Sequence, residues 1–143
     1  MKKDKLIYYQ CLNNHIDIKI NELIIYNFLM CLQVSIIVRD DLKMSKGKIM
    51  AQIVHSTMML FKNGDKMKIE KWQNLHGEKV VILRANKQKI KEIQKKAIQD
   101  YGIESYWVID AGRTEEEGTE TVCIFEPIKS KYIQKLTRNI KLM

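Results

Sequence analysis

Three polar side chains, those of Lys48, Gln52 and His55, recur at intervals of four and three residues along one stretch of the chain. That spacing places them on a single stripe of an amphipathic helix, together with Met59. An ammonium, an amide and an imidazole can bind an anion or stabilise negative charge that develops during a reaction. Because N–H groups in the first turn of a helix lack intrahelical partners and also attract anions, the start of this helix is a candidate site.

A second candidate group follows a short apolar run at residues 105–109, where Asp110 and Thr114 supply a carboxylate and a hydroxyl. In open α/β sheets, ligands bind beyond the carboxyl ends of the parallel strands. If the strand before the Lys48 helix and the strand before Asp110 are neighbours, the two groups converge on one cleft. Such a set suits the activation of water and the stabilisation of an oxyanion. The alternatives are a simple turn at Asp110 and a packing role for His55.

The elements that position these groups follow from hydrophobic periodicity and from breaker residues. Helices are predicted over 47–62, 66–76, 87–101 and 130–142, and strands over 33–38, 79–83, 105–109 and 121–125. A left-handed cap is predicted at Asn63 and Gly64, helix starts at Asp65 and Asn86, a helix end at Gly102, and a strand end at Pro127. On the first helix, the residues expected to pack inward are Ile49, Met50, Ile53, Val54, Leu60 and Phe61.

The order of these elements predicts an α/β fold. The first three strands are joined through helices, so they are expected to run parallel with right-handed crossovers. The third and fourth strands are joined by about a dozen residues without a helix, so the fourth is expected to be antiparallel. The result is a three-layer α/β/α sandwich on a mixed four-stranded sheet, with three parallel strands and an antiparallel last strand.

Length and composition divide the chain into an N-terminal extension, residues 1–32, and a single domain, residues 33–143. The extension is interpreted as a helix that packs on the domain. Membrane association is the alternative, because Lys2, Lys3 and Lys5 precede an uncharged run at residues 23–38. That run is shorter than the about 20 residues that a spanning helix needs, and its end is required as the first strand.

The net charge of +8 favours an anionic partner such as nucleic acid, although a lysine-rich chain also arises from genome composition alone. The cysteines Cys11, Cys31 and Cys123 are widely spaced and form no C-x-x-C pair, so neither a disulfide framework nor a zinc site is predicted. This cysteine usage fits a reduced, intracellular compartment and predicts a cytoplasmic protein. Because no metal, Walker or nucleophile-elbow motif occurs, no metal and no cofactor is predicted.

Two long motifs carry a resemblance to a known family. Residues 39–55 read Arg-Asp-Asp-Leu-Lys-Met-Ser-Lys-Gly-Lys-Ile-Met-Ala-Gln-Ile-Val-His, and residues 110–114 read Asp-Ala-Gly-Arg-Thr. They are accompanied by Trp72, Lys-Val-Val-Ile at 79–82, Gly-Thr-Glu-Thr-Val at 118–122, Pro127 and Lys-Leu at 141–142. In this order and spacing, residues 33–143 resemble the archaeal and eukaryotic, or type-two, peptidyl-tRNA hydrolases.

The resemblance implies metal-independent hydrolysis of the ester between a peptide and the 3′-terminal ribose of tRNA. By position, it implies Lys48, Asp110 and Thr114 as the catalytic residues. Residues implied to support them, or to bind the acceptor end of peptidyl-tRNA, are Arg39, Lys46, Gln52, His55, Arg113 and Thr121. The resemblance also implies a role in translation and ribosome rescue and a homodimer, which would suit a chain with a small core.

The sequence departs from the family pattern at two places. Ser45 occupies a position that is usually glycine in the family. The loop after Thr114 is one residue shorter than usual, lacks a proline and carries three glutamates at residues 115–117. Because acidic side chains repel phosphate, a non-catalytic RNA-binding or adaptor domain on the same scaffold is the alternative function.

Overall fold

The computed structural model describes residues 30–75, 77–112 and 118–143 of the chain. In chain order, the helices and strands of this part are β1 (Leu32–Arg39), α1 (Lys46–Asn63), α2 (Lys66–Leu75), β2 (Val80–Ala85), α3 (Lys87–Tyr101), β3 (Ser105–Ile109), β4 (Glu120–Lys129), α4 (Ser130–Thr137) and β5 (Lys141–Leu142). Each predicted helix and strand is present, with bounds close to the prediction except in β4 and α4. The predictions for residues 1–29 lie outside the described residues.

The strands form one mixed sheet in the order β3-β4-β1-β2-β5. The prediction of an α/β fold on a mixed sheet is therefore confirmed, but the predicted number of four strands is wrong. The fifth strand arises because α4 ends at Thr137 instead of continuing to residue 142. A turn closed by the Ile140 N–H and the Thr137 carbonyl at 3.0 Å then brings Lys141 and Leu142 alongside β2.

The prediction of three parallel strands is also corrected. Among the described strands, only β1 and β2 pair in parallel, whereas β4 lies between β1 and β3 and is antiparallel to both. Strand β3 thus runs in the same direction as β1 without touching it. The physical reason is the short connection between β3 and β4, because antiparallel strands joined by a loop pair directly with one another.

Strand β4 is longer than predicted because it continues through Pro127. Two residues of β4, Glu126 and Pro127, lie opposite the single residue Val34 of β1, which makes a β-bulge. A proline is tolerated at a bulge because its missing N–H is not needed by the ladder. A second bulge lies near the start of β4, where Thr121 is the extra residue between the pairs of Val108 with Val122 and Ile109 with Glu120.

Helices cover both faces of the sheet, as predicted for a three-layer sandwich. The core between the sheet and helices α1 and α2 is formed by Val34, Ile36, Val38, Leu60, Ile69, Trp72, Val108, Val122 and Ile124. The core under α3 and α4 is formed by Ile37, Leu83, Ala85, Ile90, Ile93, Ala97, Ile103, Cys123, Phe125, Ile128 and Ile133. Within the described residues, no helix combines the length and apolar character needed to cross a membrane.

The orientation of α1 differs from the prediction. Leu60 is buried as expected, but Met50, Val54 and Phe61 are exposed. The face that packs on the sheet instead carries the buried polar residues Gln52 and Ser56. These side chains can be buried because both are hydrogen-bonded: the Thr121 hydroxyl donates to Gln52, and the Ser56 hydroxyl donates to the Ile53 carbonyl.

Most helix ends follow the predicted signals. The side chains of Asp65 and Asn86 accept hydrogen bonds from the N–H groups of Lys68 and Lys89, at 3.1 and 2.9 Å. Gly102 ends α3 in the left-handed conformation, with φ of 62°. These three predictions are confirmed.

The left-handed cap predicted at Asn63 and Gly64 is wrong. Gly64 has an extended backbone, with φ of −75° and ψ of 165°. The glycine is needed for a different reason, because a Cβ atom built on it would lie 2.6 Å from the carbonyl oxygen of Leu60. The close approach of the chain to the last turn of α1, rather than a positive φ, requires glycine here.

Candidate functional site

An ion pair joins the start of α1 to the loop after β3, the two segments that were expected to converge. Lys48 Nζ lies 2.7 Å from Asp110 Oδ2, across 62 residues of sequence. The Lys48 side chain is 12% exposed and that of Asp110 is 5% exposed. A charge-assisted hydrogen bond of this length, largely removed from solvent, fixes both side chains relative to one another.

Lys48 is positioned by the first turn of α1. The Ser45 side chain caps the helix and accepts a hydrogen bond from the Lys48 N–H at 3.2 Å. The N–H groups of Lys46 and Gly47 also lie in the first turn of α1. Because no helical turn precedes them, they have no intrahelical acceptor. A Cβ atom built on Gly47 would meet nothing within 4 Å, so the approach to this turn is open. The first-turn N–H groups and the nearby Lys48 ammonium together make a candidate anion-binding site.

Asp110 is positioned by the loop that connects β3 to β4. Its N–H donates to the Thr119 carbonyl at 2.8 Å, and its carbonyl accepts from the Gly118 N–H at 3.2 Å. These two bonds close the base of the loop on the residue that carries the carboxylate. The side chain of Asp110 is thereby held beside the start of α1, which packs across β1, β3 and β4.

A buried amide and hydroxyl lie next to this pair along α1. Gln52 is one turn after Lys48, and its Oε1 accepts a hydrogen bond from the Thr121 hydroxyl at 3.0 Å. The Thr121 Oγ1 also lies 3.2 Å from the carbonyl oxygen of Val108. The β-bulge at Thr121 breaks the side-chain alternation of β4, which allows this hydroxyl to point at α1.

Arg39 links the end of β1 to the start of β4. Its guanidinium makes two hydrogen bonds to the Asp41 carboxylate, at 2.8 and 2.9 Å, and a third to the Glu120 carbonyl at 2.9 Å. The hydrogen bond from Arg39 holds the pKa of Asp41 below its usual value. The Arg39 side chain is only 11% exposed. Its contacts hold the carboxyl end of β1 to the start of β4 beside the site.

Two other predicted site residues are open to solvent. Lys46 lies in the first turn of α1 and is exposed, and so is Lys43 in the preceding loop. His55 is exposed as well, two turns after Lys48 on the same side of the helix. These three basic side chains could contact an anion that reaches the buried pair of Lys48 and Asp110.

The geometry combines a carboxylate, an ammonium, an amide and a hydroxyl around the start of a helix. A carboxylate can orient or deprotonate water, and an ammonium with helix N–H groups can stabilise an oxyanion. Among the described residues, no group of three His, Cys, Asp or Glu side chains could hold a metal ion.

Comparison with known proteins identifies the family of the chain. Residues 32–143 match the model of the family described as peptidyl-tRNA hydrolase PTH2. A peptidyl-tRNA hydrolase of Methanothermobacter thermautotrophicus is 43% identical over 110 residues, covering 76% of this chain and 96% of the relative. The chain belongs to the PTH2 family.

Two further relatives extend this similarity. A peptidyl-tRNA hydrolase of Methanococcus maripaludis is 36% identical over 114 residues, covering 76% of this chain and 97% of the relative. A probable peptidyl-tRNA hydrolase 2 of Dictyostelium discoideum is 31% identical over 117 residues, covering 78% of this chain and 54% of the relative. The resemblance stated from the motifs is confirmed.

Two residues that the PTH2 resemblance implies, Arg113 and Thr114, lie outside the described residues, as does the acidic loop at 115–117. The structure brings Lys48 and Asp110 together, and it joins Gln52 to Thr121. It puts Lys46 and His55 at the surface.

Sequence reasoning missed two features of this candidate site. The first is the capping role of Ser45, which could have been found because serine before a helix is a typical N-cap signal. The second is the pair of contacts that Arg39 makes with Asp41 and with the Glu120 carbonyl. The contact with Glu120 joins residues that are 81 positions apart in sequence. No local pattern around Arg39 predicts that contact.

Proposed function

We propose that this protein hydrolyses the ester bond between a peptide and the 3′-terminal ribose of tRNA. The observation that carries the proposal is the 2.7 Å pair of Lys48 and Asp110 at the start of α1, in a chain of the PTH2 family. An ester hydrolase needs a group that activates water and a group that stabilises the oxyanion, and this pair supplies one of each.

In the proposed reaction, Asp110 orients the attacking water and accepts its proton as the oxygen bonds to the ester carbonyl carbon. The carboxylate is suited to this role because its backbone is fixed at the base of the β3–β4 loop. Collapse of the tetrahedral intermediate breaks the bond to the ribose oxygen. That oxygen takes up the proton, so the products are a peptide with a free carboxylate and tRNA with a free terminal hydroxyl.

Lys48 stabilises the negative charge on the former carbonyl oxygen, or binds the phosphate of the terminal nucleotide. The N–H groups of Lys46 and Gly47 reinforce the same charge, since they point from the positive end of α1. Charge stabilisation of this kind is strongest where water is excluded, and both side chains of the ion pair are nearly buried.

The remaining predicted residues have supporting roles in this proposal. Gln52 and Thr121 hold the first turns of α1 against β4, which keeps Lys48 beside Asp110.

Other predicted residues contact the substrate in this proposal. His55 contacts it from the exposed side of the helix. Thr114 donates a hydrogen bond to substrate or water, and Arg113 binds RNA, as the family resemblance implies.

We further propose that the acceptor end of peptidyl-tRNA is bound by the basic rim of the site. Lys43 and Lys46 are exposed beside the buried pair, so they can reach the phosphate backbone. Arg39 acts mainly by stabilising the end of β1 beside these lysines, through its hydrogen bonds to Asp41 and to the Glu120 carbonyl. Binding through phosphates predicts that affinity falls as the salt concentration rises.

A cytoplasmic location, roles in translation and ribosome rescue, and a homodimer complete the proposal. Peptidyl-tRNA forms during translation, so an enzyme that releases its peptide acts where ribosomes are. The homodimer is tested by the sedimentation of the full-length protein at several concentrations.

The deciding experiment measures peptide release from labelled peptidyl-tRNA by the wild type and by the variant Asp110→Asn. The variant is expected to lose about 10²- to 10⁴-fold in kcat, because it removes the group that accepts the proton of water. The variant Asp40→Asn is the matched control, since Asp40 is an exposed carboxylate near the same edge. Binding of peptidyl-tRNA by the wild type without release would instead favour the non-catalytic adaptor.

A further inference from the structure

The outward face of α1 is an apolar stripe that the proposed reaction does not use. Met50, Val54, Met58 and Phe61 are 62%, 57%, 64% and 49% exposed. Their spacing of four, four and three residues aligns them along one side of the helix, opposite the face that carries Gln52. Single exposed apolar residues are common on protein surfaces, whereas an aligned group of large ones marks an interaction site.

Lysines stand at both ends of this stripe. Lys46 lies four residues before Met50, and Lys62 lies four residues after Met58, and both are exposed. None of the residues of α1, from Lys46 to Asn63, is aspartate or glutamate. The stripe therefore has an apolar centre, a cation at each end and no acidic side chain from its own helix.

This charge pattern distinguishes the possible partners. In a symmetric contact with a second copy, antiparallel stripes would place Lys46 against Lys62, and parallel stripes would place like residues together. Either arrangement brings ammonium groups together with no carboxylate from α1 between them, which is unfavourable. The proposed homodimer would therefore use another surface. RNA phosphates would suit the lysines, but only Phe61 of the stripe has a ring on which a base can stack, so Met50, Val54 and Met58 would gain little from RNA.

We infer that the stripe formed by Met50, Val54, Met58 and Phe61 docks an amphipathic helix of a partner protein whose apolar residues are flanked by carboxylates. Apolar side chains at intervals of three and four residues on that helix would pack against the stripe. Aspartate or glutamate at its two ends would pair with Lys46 and Lys62. The apolar centre supplies most of the affinity, and the charges determine the orientation and exclude basic partners.

The probe for this inference is a synthetic fluorescein-labelled helical peptide of about five turns, with leucines at the apolar positions and glutamates flanking them. A second peptide replaces every glutamate with lysine. Fluorescence anisotropy with the full-length protein is expected to show binding of the acidic peptide, and binding of the basic peptide that is weaker by at least about tenfold.

Two variants locate the binding surface. Met58→Glu places a carboxylate in the centre of the stripe, and it is expected to weaken binding of the acidic peptide by at least about tenfold. The control is Ile98→Glu, because Ile98 is an apolar residue of α3 that is 45% exposed on the opposite layer of the sheet. It should leave binding unchanged. Peptide release from peptidyl-tRNA should be the same in Met58→Glu as in the wild type, since Met58 lies outside the site.

Several results would overturn the inference. These are equal binding of the acidic and basic peptides, no binding of the acidic peptide, or an equal loss in Met58→Glu and Ile98→Glu. A wild-type dimer that Met58→Glu converts to a monomer in sedimentation would assign the stripe to a second copy of the chain. Circular dichroism of each variant shows that a loss of binding does not come from unfolding.

Discussion

The hydroxyl of Thr121 donates a hydrogen bond to Gln52 Oε1 at 3.0 Å, and both side chains are buried. We predict that Thr121→Val destabilises the protein by about 1–3 kcal/mol, because it leaves a buried amide oxygen without this donor. We also expect kcat to fall, since Gln52 lies one turn from Lys48. Urea denaturation gives the free energy of unfolding, and the peptide-release assay gives kcat.

The control for this prediction is Thr121→Ser, which keeps the hydroxyl and should restore most of the loss. A double-mutant cycle with Gln52→Leu measures the coupling between the two side chains directly. Effects of Thr121→Val and Gln52→Leu that simply add would contradict the claim that this hydrogen bond matters.

The ion pair of Lys48 and Asp110 leads to a second prediction about stability. Lys48→Met is expected to cost about 3–5 kcal/mol, because it leaves the nearly buried carboxylate of Asp110 without its ammonium. The double variant Lys48→Met/Asp110→Asn should be more stable than the sum of the two single effects predicts. Urea denaturation of the four proteins tests this. Peptide release should be lost in all three variants even at temperatures where each is folded, which separates catalysis from stability.

Lys46 is predicted to act through the RNA backbone. Lys46→Ala should raise KM with little change in kcat, because a phosphate contact contributes to binding and not to the chemical step. The slope of log KM against log salt concentration should fall by about 1. Lys95→Ala is the control, since Lys95 is exposed on α3 on the other layer. Identical salt dependence in the wild type and Lys46→Ala would exclude the proposed contact.

Removal of the Ser45 side chain tests the N-cap of α1. Ser45→Ala should destabilise the protein by about 1 kcal/mol, because the Lys48 N–H loses its acceptor. Ser45→Gly should cost only a few tenths of that, since glycine is tolerated at an N-cap. Thermal unfolding at neutral pH compares the two. A larger loss in Ser45→Gly than in Ser45→Ala would contradict the capping role.

Ionisation of the Tyr106 hydroxyl should make the free energy of unfolding depend on pH in the alkaline range. The hydroxyl donates to Glu126 Oε1 at 2.9 Å, and burial together with this carboxylate raises the pKa of Tyr106 to about 12, from 10.0 in an unfolded chain. Between these values the unfolded chain loses the proton and the folded protein keeps it. The free energy of unfolding should therefore fall as the pH rises from 10 towards 12. Urea denaturation in this range should show a weaker pH dependence for Tyr106→Phe than for the wild type.

Local patterns were sufficient for most of the fold and for the central pair of the site. Helix caps at Asp65 and Asn86 and the end of α3 at Gly102 depend on neighbouring residues, so the sequence predicted them correctly. The meeting of Lys48 and Asp110 followed from the rule that sites lie beyond the carboxyl ends of strands. That rule requires only that β1 and β3 run in the same direction, which is the case, although β4 separates them and they are not the neighbours on which the expected cleft was made conditional.

Features that depend on distant contacts could not be predicted. Apolar residues occur around most of α1, so periodicity alone does not show which side faces the sheet. The deciding contact is between Gln52 and Thr121, which are 69 residues apart in sequence. The bulges at Thr121 and Pro127 likewise depend on pairing with other strands, because a bulge exists only relative to its neighbour.

The position of β4 has a consequence for synthesis of the protein. Strand β3 pairs only with β4 among the described strands, and β4 is the last long one to leave the ribosome. A nascent chain that stops before Glu120 therefore cannot anchor β3, and the carboxylate of Asp110 is not yet held against Lys48. While it is being translated, the chain is itself a peptide esterified to tRNA, the kind of bond that we propose it cleaves. The groups that we propose as catalytic would therefore assemble only after β4 has left the ribosome.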